Sequence, residues 1–219
     1  IINGNIRVTD ANVGNASTID LFKLYDETKL NNTGTQTELS RGLLKFDLSP
    51  ITALTASLLD LNSSRFSATL EMKDIMTGHA VPRNFTLSVF PLSQSFDEGI
   101  GIDTGKFNDV DVANFVTASY TTQNNIWFVT GANAGGLLSS NNIDYITSGN
   151  LQDGSGVVSF EKKQTFTNGT EDLAIDLTTL VSATVAAQLL DHGFRLSFTG
   201  SQEADTKSRF VKRFASRHV

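Results

Sequence analysis

The segment NFTLSVFPLS, residues 84–93, sets Phe85, Leu87 and Val89 at every second position with Thr86 and Ser88 between them. Side chains of a β-strand point alternately to opposite faces, so this spacing predicts a strand with one face on an apolar core. Pro91 lacks the N–H that a sheet ladder needs, which predicts that the strand ends there or lies at an edge. The same period recurs along the chain. RGLLKFDLS (41–49) puts Leu44, Phe46 and Leu48 on one face and Leu43, Lys45 and Asp47 on the other. FSATLEMKDI (66–75) repeats it with Phe66, Ala68, Leu70 and Met72. NNIWFVTG (124–131), GVVSFEKK (156–163), EDLAIDLT (171–178) and GFRLSFTG (193–200) follow, bounded by Gly, Asn, Asp or Ser turns.

These strands predict an all-β chain, an antiparallel two-sheet β-sandwich. One segment departs from period two. In TTLVSATVAAQLLDHG (178–193), Leu180, Val181, Thr184, Ala187 and Leu190 fall at helical intervals, Asp176 and Thr178 can cap the start, and Gly193 suits a stop. A single short α-helix around 179–190 is expected there. No Pro/Gly/Ser linker interrupts the 219 residues, so one domain spanning 1–219 is expected. The chain starts at Ile1 rather than Met, which predicts a fragment of something longer.

Composition narrows the chemistry. Apolar residues make up 39%, charged residues only 18%, and Phe occurs 15 times, a mixture suited to short strands packing aromatic side chains between sheets. Cysteine is absent, so neither disulfides nor thiolate chemistry contributes. A net charge of -6 opposes nucleic acid and anionic membranes, and no apolar run is long enough to span a bilayer. The stretch from Ser93 to Ser155 is rich in Gly, Asn and Asp; loops of that length usually serve a function or a partner.

Few side chains suggest a site. Asp97, Glu98 and Asp103, with Asp109 and Asp111 nearby and Gly99, Gly101 and Gly105 between, offer hard oxygen ligands that calcium would accept. Their spacing differs from the helical-loop calcium motif, and the alternative is a solvated turn. Calcium is the one cofactor candidate. His79, His192 and His218 stand far apart, and His192 beside Gly193 reads as a helix C-terminal residue matched to the dipole. Trp127, the only Trp, could serve as a sugar-stacking platform or as core. The Asn-x-Ser/Thr sequons at Asn15, Asn31, Asn62, Asn84 and Asn168 are what chance supplies in so polar a chain.

The C-terminal segment SRFVKRFASRHV (208–219) crowds Arg209, Lys212, Arg213 and Arg217 among Phe210, Val211 and Phe214. Three readings are open for it: a nucleic-acid-binding arm, which the net charge of the chain opposes, a solvated tail, and a strand cut off from its partner.

Taken in order, SRGLLKFDLSPI, FSATLEMKDI, FTLSVFPLSQSFDEGIGID and the run from GTEDLAIDLTTLV to FVKRFASRHV resemble the DNRLRE-domain jelly-roll family. That family is related to carbohydrate-binding modules, and the resemblance is strongest to its versions among tailed-phage structural proteins. It covers most of the chain from about Ser40 onward. It implies a jelly roll with a non-enzymatic virion role, other virion proteins and copies of itself as partners, no catalytic residues, a sheet strand in the basic C-terminal segment whose charges face solvent or an acidic neighbour, and a last strand that this chain lacks. A carbohydrate-binding module or host-glycan adhesin, using Trp127, is the alternative.

Overall fold

The computed structural model describes residues 2–3, 6–7, 9–25, 37–75, 81–102, 112–119, 125–152, 154 and 156–218. His79, Asp103, Asp109, Asp111 and Asn31 lie outside the described residues. The first elements are β1 (Ile2–Asn3), β2 (Ile6–Arg7), β3 (Thr18–Tyr25), β4 (Thr37–Leu39), β5 (Gly42–Leu44), α1 (Ser49–Thr55), β6 (Thr69–Met72) and β7 (Phe85–Pro91). After them come β8 (Thr117–Ser119), β9 (Asn125–Ile126), β10 (Gly135–Leu137), β11 (Tyr145–Asn150), β12 (Val157–Ser159) and β13 (Lys162–Phe166). The chain closes with β14 (Leu173–Asp176), α2 (Thr178–Val185), β15 (Phe194–Phe198), α3 (Gly200–Ala204) and β16 (Phe210–Ala215). The result is a β-rich fold of several small, mainly antiparallel sheets with a few short helices; β10 and β11 pair in parallel.

The alternation of residues 84–93 places β7 centrally. It runs antiparallel to β13 on one side and β15 on the other, with β5 beyond β15. Phe85, Leu87 and Val89 are fully buried, and Pro91 is the last residue of the strand. A second group of strands faces these side chains: β3 lies between β16 and β4, and β6 pairs with β14. The two pieces meet at a bridge between Asp74 and Phe214, reinforced by Ala215 N–H donating to Lys73 O at 3.0 Å.

Aromatic rings fill the space between. Phe85 stacks on Phe166 at 5.0 Å between centroids and meets Phe198 edge-on at 5.6 Å, and Phe198 and Phe210 lie 5.6 Å apart. Offset and edge-to-face pairs of this kind add to the gain from burial. Leu70, Met72, Leu173, Ile175, Leu180 and Leu196 complete the same cluster.

Four expectations change. The strand in RGLLKFDLS ends at Leu44, and α1 begins at Ser49, where Asp47 accepts the Ser49 N–H at 3.0 Å and Pro50 presets the first-turn φ. Phe46 is therefore exposed rather than aligned with Leu44 and Leu48. Helix α2 covers Thr178–Val185 and stops short of 190, because Ala187 takes a left-handed φ of 57° that breaks the helical run. α1 and α3 are additional to the single helix expected. Gly193 opens β15 instead of closing α2; a Cβ there would lie 2.3 Å from Leu44 O.

Every residue of β15 is buried, on both faces. Phe194, Leu196 and Phe198 face the aromatic core, and the opposite face of the sheet carries Arg195 and Ser197, with Ser88 of β7 beside them. The described part of residues 92–150 covers some of that polar face, with Tyr145 and Asn133 at Arg195, and also contributes Ile146 to the main core.

Candidate docking surface

The covering layer has a small apolar centre of its own. Leu92, Ala118, Trp127 and Ala132 are buried together, with Leu43, Phe96 and Tyr145 packed against them. Tyr145 lies 4.9 Å from Phe90 of β7, and the Arg195 guanidinium sits 4.5 Å above its ring. A desolvated guanidinium over an aromatic face gains electrostatic attraction from the ring quadrupole.

Arg195 is 2% exposed. Its Nη1 donates to Ser197 Oγ at 2.6 Å, and Nη2 lies 3.4 Å from Asn133 Oδ1 and 3.7 Å from Glu203 Oε2. Nε is buried without a hydrogen-bond partner. Burial, and next the charge of Arg41, push its pKa down to about 10, against the pull of Glu203, Tyr145 and Asp144. Glu203 also takes a bidentate pair from Arg41, Nε at 3.0 Å and Nη2 at 2.7 Å, the fork geometry that makes Arg–carboxylate pairs strong. Nη1 of Arg41 continues to Gly131 O at 2.7 Å.

Asp144 does the corresponding work from the other side. Its fully buried carboxylate accepts the N–H of Phe128 at 2.7 Å, of Val129 at 3.1 Å and of Ala134 at 2.7 Å, with Gln94 Nε2 at 2.9 Å. Three backbone donors of one loop thus converge on a single side chain. Trp127 is 3% exposed, and its Nε1 donates to Asn114 O at 2.9 Å. Gly131, at φ 77°, lets the loop turn where a Cβ would meet Arg41 Nη1 at 2.5 Å and the Phe115 ring at 2.7 Å.

Beside this anchored backbone several apolar side chains are exposed, while Trp127 and Ala132 are buried. Ile126 is 60% and Phe128 52% exposed; Val129, Phe115 and Val116 are exposed as well. The segments carrying them are tied together by Trp127 N–H to Val116 O at 3.0 Å and Gly131 N–H to Phe115 O at 2.7 Å. Apolar side chains grouped on a fixed backbone characterise surfaces that meet other molecules.

The residues singled out from sequence fare unevenly. Alternation about Trp127 holds, with Ile126 and Phe128 on the outer side, but the indole is in the interior and offers no face to a sugar. Of the two readings given for Trp127, sugar platform or core, the structure has the side chain in the core. Of the calcium candidates, Asp97 is half-buried, and Glu98 is exposed with its carboxylate engaged by Arg217 and, at 3.5 Å, by His218. Asp103 lies outside the described residues, among which no cluster of three or more His, Cys, Asp or Glu could hold a metal. His192 lies seven positions past the end of α2, so it makes no helix-dipole contact; burial first, and Lys45 second, lower its pKa, with Asp191 opposing.

The basic C-terminal segment forms the expected strand with one reversal. Arg213 pairs with Asp20 at 2.6 Å on the outside. Lys212, whose charge is expected to face solvent or an acidic neighbour, shares the face of Phe210 and Phe214 and is fully buried there, because Asp74 and two backbone carbonyls meet its ammonium. Sequence reasoning missed Asp144, Arg41, Arg195 and Glu203. Arg195 carries one signal, a charged residue among apolar neighbours in FRLSF (194–198), and the other three carry none.

Chemically, the buried carboxylates of Asp144 and Glu203 are occupied by fixed donors, an arrangement that holds backbone in place rather than moving protons. Comparison of the chain with protein-family models, with curated proteins and with solved structures finds no match.

Proposed function

We propose that this chain is a non-enzymatic structural protein of a tailed-phage virion that works by protein–protein contact. The apolar loop face of Phe115, Val116, Ile126, Phe128 and Val129 is its docking surface. The observation that carries the contact reading is the pairing of exposed apolar side chains with a backbone immobilised by buried charge. A loop ordered before binding loses less entropy on association, which is what a permanent assembly contact requires. The virion setting rests on the resemblance of the strand order to DNRLRE-type phage proteins. Other virion proteins and further copies of the chain are the partners, and the particle is its location.

The finer architecture belongs to the same reading. Sheet β13-β7-β15-β5 faces β14-β6 and β16-β3-β4 across one aromatic core, with Asp74 and Phe214 bridging the second group. This supports a jelly-roll sandwich to which residues 92–150 add a third layer. The glycan-binding alternative has less support, since Trp127 is 3% exposed. No helix among the described residues is long and apolar enough to cross a membrane.

The test compares the chain with an Ile126→Ser/Phe128→Ser variant in particle fractions and by analytical ultracentrifugation. The parent chain is expected to co-sediment with particles or to form a defined multimer, and the variant to fold and to lose that association. A monodisperse monomer that never accompanies particles contradicts the proposal, as does association indifferent to both substitutions.

A further inference from the structure

Lys212 stands apart from the charges described above. It projects from the centre of β16 into the aromatic core, fully buried, where the Phe166 and Phe214 ring centroids lie 4.8 and 5.1 Å from its Nζ. Nζ is 2.7 Å from Asp74 Oδ1, 2.9 Å from Gly169 O and 2.8 Å from Glu171 O. The Asp74 side chain is only 9% exposed, and the Asp74–Phe214 backbone bridge fixes both partners in register. In the same turn, Glu171 carries an Oε2 that is buried without a hydrogen-bond partner.

We propose that Lys212 and Asp74 are joined by an intramolecular amide bond between Nζ and the Asp74 side-chain carbonyl carbon. Burial raises the energy of any ion pair relative to its neutral amine–acid form, and a single hydrogen bond separates the two here. When the shared proton passes to Asp74, the other two N–H groups stay on Gly169 O and Glu171 O. The nitrogen lone pair then occupies the position the proton left, directed at the Asp74 carboxyl. The N–C bond forms as the C–OH bond breaks, and the hydroxyl leaves with one nitrogen proton as water. Ammonium plus carboxylate becomes amide plus water, with no oxidant, reductant or co-reactant.

Two reacting groups held together by a folded backbone behave as if at a concentration that free reactants never reach, on the order of 10⁵ M or more, which drives a condensation that is unfavourable between separate molecules in water. The bond links residues 138 apart in a chain that has no cysteine, tying β16 to the segment that follows β6. It is independent of the docking proposal, since it concerns the interior and requires no partner.

The experiment is the intact mass of the full chain, purified folded and then measured denatured. The expected mass is one water below that of the sequence, and fragmentation is expected to place the link between the peptides containing Asp74 and Lys212. Lys212→Arg and Asp74→Ala variants are expected at full sequence mass. An unmodified parent mass overturns the proposal, as does a water loss that maps elsewhere, for example to Asp153-Gly154, or that persists in either variant.

Discussion

Phe85 and Asp144 are equally inaccessible to water, yet they hold their surroundings in opposite ways. Phe85 sits where both sheet groups converge and touches other rings, Phe166, Phe198 and Phe210. Its contribution is non-directional and proportional to area, so it stabilises the whole fold at once. Asp144 contacts four donors, three of them backbone N–H groups of one loop, and its contribution is directional and local. The aromatic core therefore sets whether the chain folds, and the charged layer on the outer face of the sheet sets the shape it presents.

Substitutions separate the two regions. Phe85→Ala removes a fully buried ring and is expected to cost about 4 kcal/mol, read as a lower urea midpoint seen equally by near-UV and far-UV circular dichroism. Asp144→Ala leaves three backbone donors buried and unmatched, at a cost of about 3 kcal/mol. Here the loss should be uneven: amide protection falls at Phe128, Val129 and Ala134 while β7 and β15 keep theirs. Equal loss in both regions would merge what the structure separates.

Glu203→Gln keeps one acceptor for Arg41, puts a donor where the second carboxylate oxygen stood, and removes the negative charge that faces Arg41 and Arg195. It is expected to cost about 2 kcal/mol, by the logic that an uncompensated buried cation is penalised. Guanidinium denaturation would mask this charge effect, so urea is the appropriate denaturant. His192 gives the smallest effect and sharpens the comparison through pH. Its folded-state pKa lies below the usual 6.5, so the unfolded chain takes up the proton first as pH falls. Stability should decline as pH drops through about 6.5 and level off once the folded imidazole is protonated too. His192→Asn is expected to flatten that part of a melting-temperature profile.

The difference also explains what the amino-acid order reveals. Phe85, Leu87, Val89, Leu70, Met72 and Leu196 are legible because period two is a one-dimensional signature of a strand with an apolar face, and each is buried as expected. Lys212 obeys the same period, on the face of Phe210 and Phe214, but its burial is not legible, since alternation does not report the partner that makes a buried charge tolerable. Such partners are remote: Asp74 lies 138 positions from Lys212, and Glu203 lies 162 from Arg41. Asp144 is illegible for the same reason, as its acceptor role exists only once the loop has closed around it. α1 was signalled by Asp47 and Pro50, but the apolar spacing of Leu44, Phe46 and Leu48 reads more strongly as strand. The outward placement of Ile126 and Phe128 follows from period two once Trp127 is assigned to the interior. That they stand on an immobilised loop could not be inferred without Asp144 and Arg41.

Amide hydrogen exchange of the isolated chain, followed residue by residue, tests most directly whether buried charge holds the docking loop in place. Phe128, Val129 and Ala134 are expected to exchange slowly, despite lying in a loop among exposed side chains, because their N–H groups are held by Asp144. Rapid exchange at these three positions, with β7 and β15 still protected, would show that the loop lacks its anchor and would contradict the account.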